Sequence, residues 1–131
     1  MNQNVICWFE IYVSNIDRAK KFYTEVLGTH FHDAPEVPGD SEGTMKMSFF
    51  SSMENQGVSG ALIEMPGANE EGHRSVGTMV YFPCNDCSVE ESRVEAAGGV
   101  VHKTKFSLNE YGACSICVDT EGNVFGLFSM E

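Results

Sequence analysis

The chain has 131 residues, 42% hydrophobic and 21% charged, with 19 acidic against 8 basic side chains and a formal net charge of −11. That size supports one hydrophobic core, and the acidity argues against nucleic acid and anionic membrane surfaces, which demand a basic face. No apolar run approaches the ~20 residues of a bilayer span and Met1-Asn-Gln-Asn4 is no export signal, so the five cysteines are expected to be reduced thiols in a cytoplasmic protein.

Residues 5–13 alternate as a strand does. Trp8, Glu10 and Tyr12 fall on one side; Cys7, Phe9, Ile11 and Val13 fall on the other, which is wholly apolar and expected to lie against a helix. That helix follows at once. Ser14 or Asn15 caps it, Ile16, Ala19, Phe22, Tyr23, Val26 and Leu27 recur at helical spacing, and Gly28 stops it. Three strands are then expected at 29–32, 44–50 and 58–65, separated by loops at 35–43 and 51–57. Residues 66–77, with three glycines and no apolar period, read as a linker.

The order then repeats. A strand is expected over 78–84 and a helix over 88–97, with Ser88 and Glu91 at capping-box spacing and Gly98-Gly99 as the stop. Strands follow near 100–106, 112–118 and 123–129, the last two joined through the turn Asp119-Thr-Glu-Gly-Asn123. The reading is one domain, 1–131, of two β-α-β-β-β modules: module one at 5–65, linker 66–77, module two at 78–131. Ile16, Phe22, Tyr23 and Val26 should pack from the first helix, and Val94 and Ala97 from the second.

Several segments carry a resemblance. They are Phe9-Glu-Ile-Tyr-Val-Ser-Asn-Ile-Asp-Arg-Ala-Lys-Lys-Phe-Tyr23 with Val26-Leu-Gly28, then Val94-Glu-Ala-Ala-Gly-Gly99, Glu110-Tyr-Gly112 and Asp119-Thr-Glu-Gly-Asn-Val-Phe-Gly-Leu127. Together they resemble the vicinal oxygen chelate superfamily of glyoxalase I, bleomycin resistance proteins and extradiol dioxygenases, in particular its small stand-alone bacterial members. The resemblance implies an α+β fold in which two βαβββ modules form one eight-stranded cup, often completed by a second subunit. It also implies, for metal-dependent members, one His or Glu ligand on the first and last strand of each module. Those positions fall here on Trp8, Glu64, Met79 and Gly126, of which only Glu64 offers a donor for a divalent ion.

Other constellations have plainer readings. Cys84-x-x-Cys87 and Cys114-x-x-Cys117 look like a zinc pattern, but Cys114 and Cys117 stand three apart on a strand and point to opposite faces, so packed thiols are expected. His30 and His32 read as surface residues, and His73 and His102 have no sequence partner. Glu10 and Glu64, among Trp8, Tyr12, Met79 and Tyr81, are the candidate catalytic or cation-holding carboxylates. Met45 and Met47 read as ordinary core filling, with an adaptable pocket wall as the alternative. The expected ligand-binding set is Trp8, Glu10, Tyr12, Glu64, Met79, Tyr81 and Gly126, with no metal and no other cofactor. The expected function is a metal-free small-molecule binder acting as a homodimer. The alternative is a glyoxalase-like lyase or isomerase, or a dioxygenase-related enzyme, using Glu64 or Glu10 with a divalent metal.

Overall fold

The first helix is built as its ends dictate. Asn15, in extended conformation, accepts the Arg18 N–H through its side chain, and Gly28 closes the helix at φ 68°, donating its N–H to the Thr24 carbonyl. The computed structural model describes residues 5–34, 37–38, 44–50, 57–65 and 77–131. In chain order the elements are β1 (Trp8–Tyr12), α1 (Ile16–Leu27), β2 (His32–Asp33), β3 (Val37–Pro38), β4 (Thr44–Phe49), β5 (Ser59–Glu64), β6 (Gly77–Pro83), α2 (Cys87–Val94), β7 (Val100–Ser107), β8 (Ala113–Val118) and β9 (Val124–Ser129), with a 3-10 turn at Asn109–Tyr111. The class is the expected α+β repeat of two βαβββ modules.

The chain divides into two compact units, one of Phe9–Thr78 and one of Met1–Trp8 with Met79–Glu131. In the first, the strands run β2-β4-β5-β1. Ile16 of α1, Phe50 and Leu62 form its buried centre, and Phe9, Ile11, Val13, Ala19, Tyr23 and Phe31 pack around them. The apolar side of β1 therefore faces α1, as the alternation predicts. Lys20 and Ser48 both reach Asp33 Oδ1, at 2.7 and 2.8 Å, and tie α1, β2 and β4 together.

The second unit repeats the order as β6-β9-β8-β7, first strand, last, third, second. Here β6 and β9 run parallel, while β9, β8 and β7 are antiparallel. Cys87, Ala113, Cys117 and Leu127 make the core, with Phe82, Val94, Val101 and Phe125 against it. The Asp119–Asn123 turn closes as expected: Asp119 Oδ1 accepts the N–H groups of Glu121 and Asn123, and Gly122 takes φ 89°.

Four local expectations are corrected. Phe22, Val26 and Leu27 of α1 are exposed, because the buried stripe runs Ile16–Ala19–Tyr23 and is not continued by the last turn. Ala97 is exposed because α2 ends at Val94 and turns away. The capping box at Ser88 and Glu91 does not form: Asp86 caps α2 by accepting from Ser88 N, and Glu91 instead accepts the Lys105 N–H at 2.6 Å. The strand expected at 29–32 is only His32–Asp33, and Val37–Pro38 is a two-residue strand inside the expected 35–43 loop. The loop at 51–56 and the linker at 66–76, with His73, lie outside the described residues.

Candidate functional site

In the unit Phe9–Thr78, the strand face opposite α1 carries a buried carboxylate. Alternation along β1 puts Glu10 and Tyr12 away from the helix, and Glu10 is only 7% exposed. The Tyr12 hydroxyl donates to Glu10 Oε1 at 2.7 Å. The β4–β5 register, Met47 opposite Ile63 and Phe49 opposite Ala61, sets those four side chains on the same face, while Ser48 and Leu62 turn toward α1. Met47 thus stands on the face opposite α1.

Glu64 is not with them. It shares its side of β5 with Leu62, under α1, and its Oε1 accepts the Ile16 N–H at 2.9 Å. Its other oxygen faces Lys46 Nζ at 3.8 Å. This corrects the expected pairing of Glu10 with Glu64. One carboxylate serves the face of the strands turned away from α1, and the other closes the first turn of α1, where an unsatisfied N–H and the positive end of the helix dipole favour an anion.

In the second unit the corresponding face, opposite α2, centres on Tyr81 and Gly126. They are register partners across β6 and β9, and a Cβ at 126 would collide with Cδ2 and Cε2 of the Tyr81 ring. The ring therefore lies on the glycine, which is what residue 126 is small for. The register extends the row: Gly126 pairs with Ile116 and Ile116 with Lys103, while Phe128 pairs with Cys114 and Cys114 with Phe106. Met79, two residues before Tyr81 on β6, is buried, and Trp8 is half-buried. Lys103, Phe106, Ile116 and Phe128 are absent from the sequence-derived set.

The cysteines are packed thiols. Cys117 lies in the core under α2 with Cys87, whereas Cys114 belongs to the opposite face, as strand alternation requires. Burial pushes the Cys84 thiol up to about 12, with the nearby Glu90 carboxylate adding to the rise, and burial likewise raises Cys7 and Cys117. His30, His32 and His102 are exposed.

A divalent metal does not fit the residues at the family's ligand positions. Trp8, Met79 and Gly126 supply no carboxylate or imidazole, and Glu64 is committed to Ile16 and Lys46. Among the described residues no three His, Cys, Asp or Glu side chains are grouped to hold an ion. Nor, among them, is any helix long and apolar enough to cross a membrane.

Comparison with known proteins follows the same lines. The family model described as Glyoxalase/Bleomycin resistance protein/Dioxygenase superfamily matches residues 5–126. Proteins named "Putative glyoxylase CFP32" from Mycobacterium bovis and Mycobacterium tuberculosis are 28% identical over 121 residues, covering 92% of this chain but 44% of theirs. The chain thus spans less than half the length of these curated relatives. Among solved structures, a methylmalonyl-CoA epimerase from Mycobacterium tuberculosis matches with a TM-score of 0.67 at 16% identity, over 97% of this chain and 88% of that one. A hypothetical protein from Bacillus halodurans C-125 gives 0.69 at 15% identity, over 96% and 94%. A mutant 4-hydroxymandelate synthase from Streptomyces coelicolor gives 0.65 at 18% identity, over 99% of this chain and 39% of that one. At such identities the likeness is one of fold. With the family model spanning nearly its whole length, this chain belongs to the glyoxalase/bleomycin resistance protein/dioxygenase superfamily.

Proposed function

We propose that this protein is a small-molecule-binding member of its superfamily that works without a divalent metal. The observation that carries the reading is the Tyr81 ring seated over Gly126, a flat aromatic surface on the side of β6 and β9 turned away from α2. A planar group stacked on such a ring gains about 0.5–1.5 kcal/mol beyond its area burial. Ile116 and Phe128 flank it with apolar surface. The names of two structural relatives, a methylmalonyl-CoA epimerase and a 4-hydroxymandelate synthase, also point to small organic ligands. The donor chemistry supports metal independence, since an indole, a thioether and a glycine leave one carboxylate already engaged. We read the protein as a cytoplasmic homodimer; its exposed apolar side chains, Val5, Phe22, Val26, Tyr111 and Met130 among them, support the dimer. Light scattering that finds a monomer at high micromolar concentration would remove the dimer.

The test is calorimetry on chelator-treated protein. Titration with Zn²⁺ and Ni²⁺ should show no stoichiometric binding beyond what His30 and His32 provide, and planar aromatics should bind with affinity that Tyr81→Ala reduces. Metal binding that disappears with Glu64→Ala or Glu10→Ala, or aromatic binding indifferent to Tyr81, overturns the proposal.

A second reading rests on the other unit. The Tyr12 hydroxyl, 2.7 Å from the buried Glu10 carboxylate, orients it as a proton acceptor, the arrangement a lyase or isomerase needs. Exchange of a ligand C–H for deuterium in D₂O, lost in Glu10→Gln, would favour the enzyme over the binder.

A further inference from the structure

Phe22 and Val26 of α1 stay 56% and 61% exposed. They stand one turn apart, so they form a single apolar row beside the buried stripe of Ile16, Ala19 and Tyr23. The Phe22 ring is held in place. It meets the Tyr23 ring edge-on, with centroids 5.1 Å apart at 86°, and Tyr23 in turn rests against Phe50 at 5.7 Å. Fixed, uncovered aromatics of this kind anchor contacts between proteins.

Lys21 and Glu25, both exposed, form a second row on the outer side of the same helix, also one turn apart. Neither has an ion-pair partner among the described residues, whereas Lys20 beside them is tied to Asp33 and Arg18 donates to Ser14 Oγ. The order of the two charges suits an isolated helix badly. Glu25 stands in the last turn, where the helix dipole favours a cation and no basic residue is present. A lysine four residues ahead of a glutamate is also the weaker sense of that pair.

A second α1 lying antiparallel corrects both faults. Each Lys21 then stands level with the partner's Glu25, and the two helix dipoles oppose each other. On the other flank Phe22 meets the partner's Val26. The pairs 21–25 and 22–26 are centred one residue apart, about 1.5 Å along the axis, so one two-fold axis serves both rows. Charge favours this surface over the rest. Arg18, Lys20 and Lys21 against Asp17 and Glu25 give α1 a charge of +1 in a chain of −11, whose copies otherwise repel.

We propose that the outer face of α1 is the contact between two copies of this chain, the helices antiparallel across a two-fold axis, with Phe22 on the partner's Val26 and Lys21 paired with the partner's Glu25. This inference rests on the dimer reading above and adds to it the surface and the register.

Sedimentation equilibrium of the full chain, from low to high micromolar concentration at physiological salt, tests it. Phe22→Asp should leave a monomer, and thermal melts should show that it folds, since the residue it replaces is exposed. Lys21→Glu and Glu25→Lys each set two pairs of like charges across the axis and should raise the dissociation constant about ten-fold. An equimolar mixture of these two variants should recover the parent's affinity, because the acidic row of one then meets the basic row of the other. No effect within a single helix can produce that recovery. A parent dimer indifferent to all three substitutions overturns this interface and leaves the dimer reading standing. Weakened single variants that do not recover on mixing overturn the antiparallel register. A parent that stays monomeric throughout overturns both readings.

Discussion

The Glu64 carboxylate accepts the Ile16 backbone N–H at 2.9 Å, so the last residue of β5 serves as the acceptor for the first residue of α1. The Asn15 side chain accepts the Arg18 N–H, two residues further on, so the two side chains share the capping of the helix start. Glu64→Ala is expected to lower stability by about 1–2 kcal/mol, whereas Glu64→Gln, which keeps an oxygen acceptor, should lose less. Urea unfolding midpoints of the two variants decide this. The exposed Lys46, 3.8 Å away, should contribute little, so Lys46→Ala should fall close to the parent.

Gly126 and Tyr81 are coupled by space. Gly126→Ala places a Cβ against the Tyr81 ring and must push it aside, at a cost of about 1–3 kcal/mol typical of overpacking. The double variant Gly126→Ala/Tyr81→Ala should be less unstable than the two single effects added together, because removing the ring removes the collision. A strictly additive result in thermal melts would separate the two residues.

Acid unfolding should carry the signature of Asp86. The Ser88 hydroxyl, then the Lys105 ammonium and the Ser88 N–H, hold its carboxyl at about 2, against ~3.9 in an unfolded chain. The folded state therefore binds fewer protons at this group. Its stabilising share is complete above pH ~4 and disappears as pH falls through ~2. Asp33, lowered chiefly by Lys20, and Asp119, lowered chiefly by the Asn123 N–H, act in the same direction. Asp86→Asn should flatten this limb, read as a smaller drop in urea midpoint over that interval.

The thiols should be slow. Cys84 at about 12 and the raised Cys7 and Cys117 are almost wholly protonated at neutral pH, and the thiolate is the reactive form. Native protein at pH 7 should react with iodoacetamide far more slowly than protein in denaturant. Because the unfolded thiols ionise first as pH rises, these three groups also withdraw stability from about pH 8.5 upward, toward the folded value of Cys84.

Much of the fold was legible because polar and apolar residues alternate plainly on β1, and because Gly28, Gly98-Gly99 and Asp119–Asn123 punctuate the chain. Glu64 was misplaced for a physical reason. Residues 60–63 of β5 are buried on both faces, so the strand offers no contrast by which to tell one side from the other. The stripe of α1 was overextended for the opposite reason, since Val26 and Leu27 keep helical spacing with Ile16 and Ala19 yet stay exposed. Lys103 could not be seen at all. The register shift between Val101 and Lys103 decides its direction, and a shift of pairing leaves no mark in a run such as Val100-Val-His-Lys-Thr-Lys-Phe106.

The turn at Asp119 bears on the order in which the molecule assembles. It joins β8 and β9 into a hairpin whose pairing partners, Val118 with Val124 through Ala113 with Ser129, are close in sequence, and hairpins of this kind close in about 1–10 μs. The parallel pairing of β6 with β9 joins Val80 to Phe125, from opposite ends of the second module, and must wait for a far longer loop to close. Asp119→Ala, which strips the turn of its acceptors, should therefore slow refolding, while Gly126→Ala on the late pairing should chiefly hasten unfolding. Stopped-flow chevrons would display the two as shifts of opposite limbs, the Tyr81 surface being among the last parts of this unit to form.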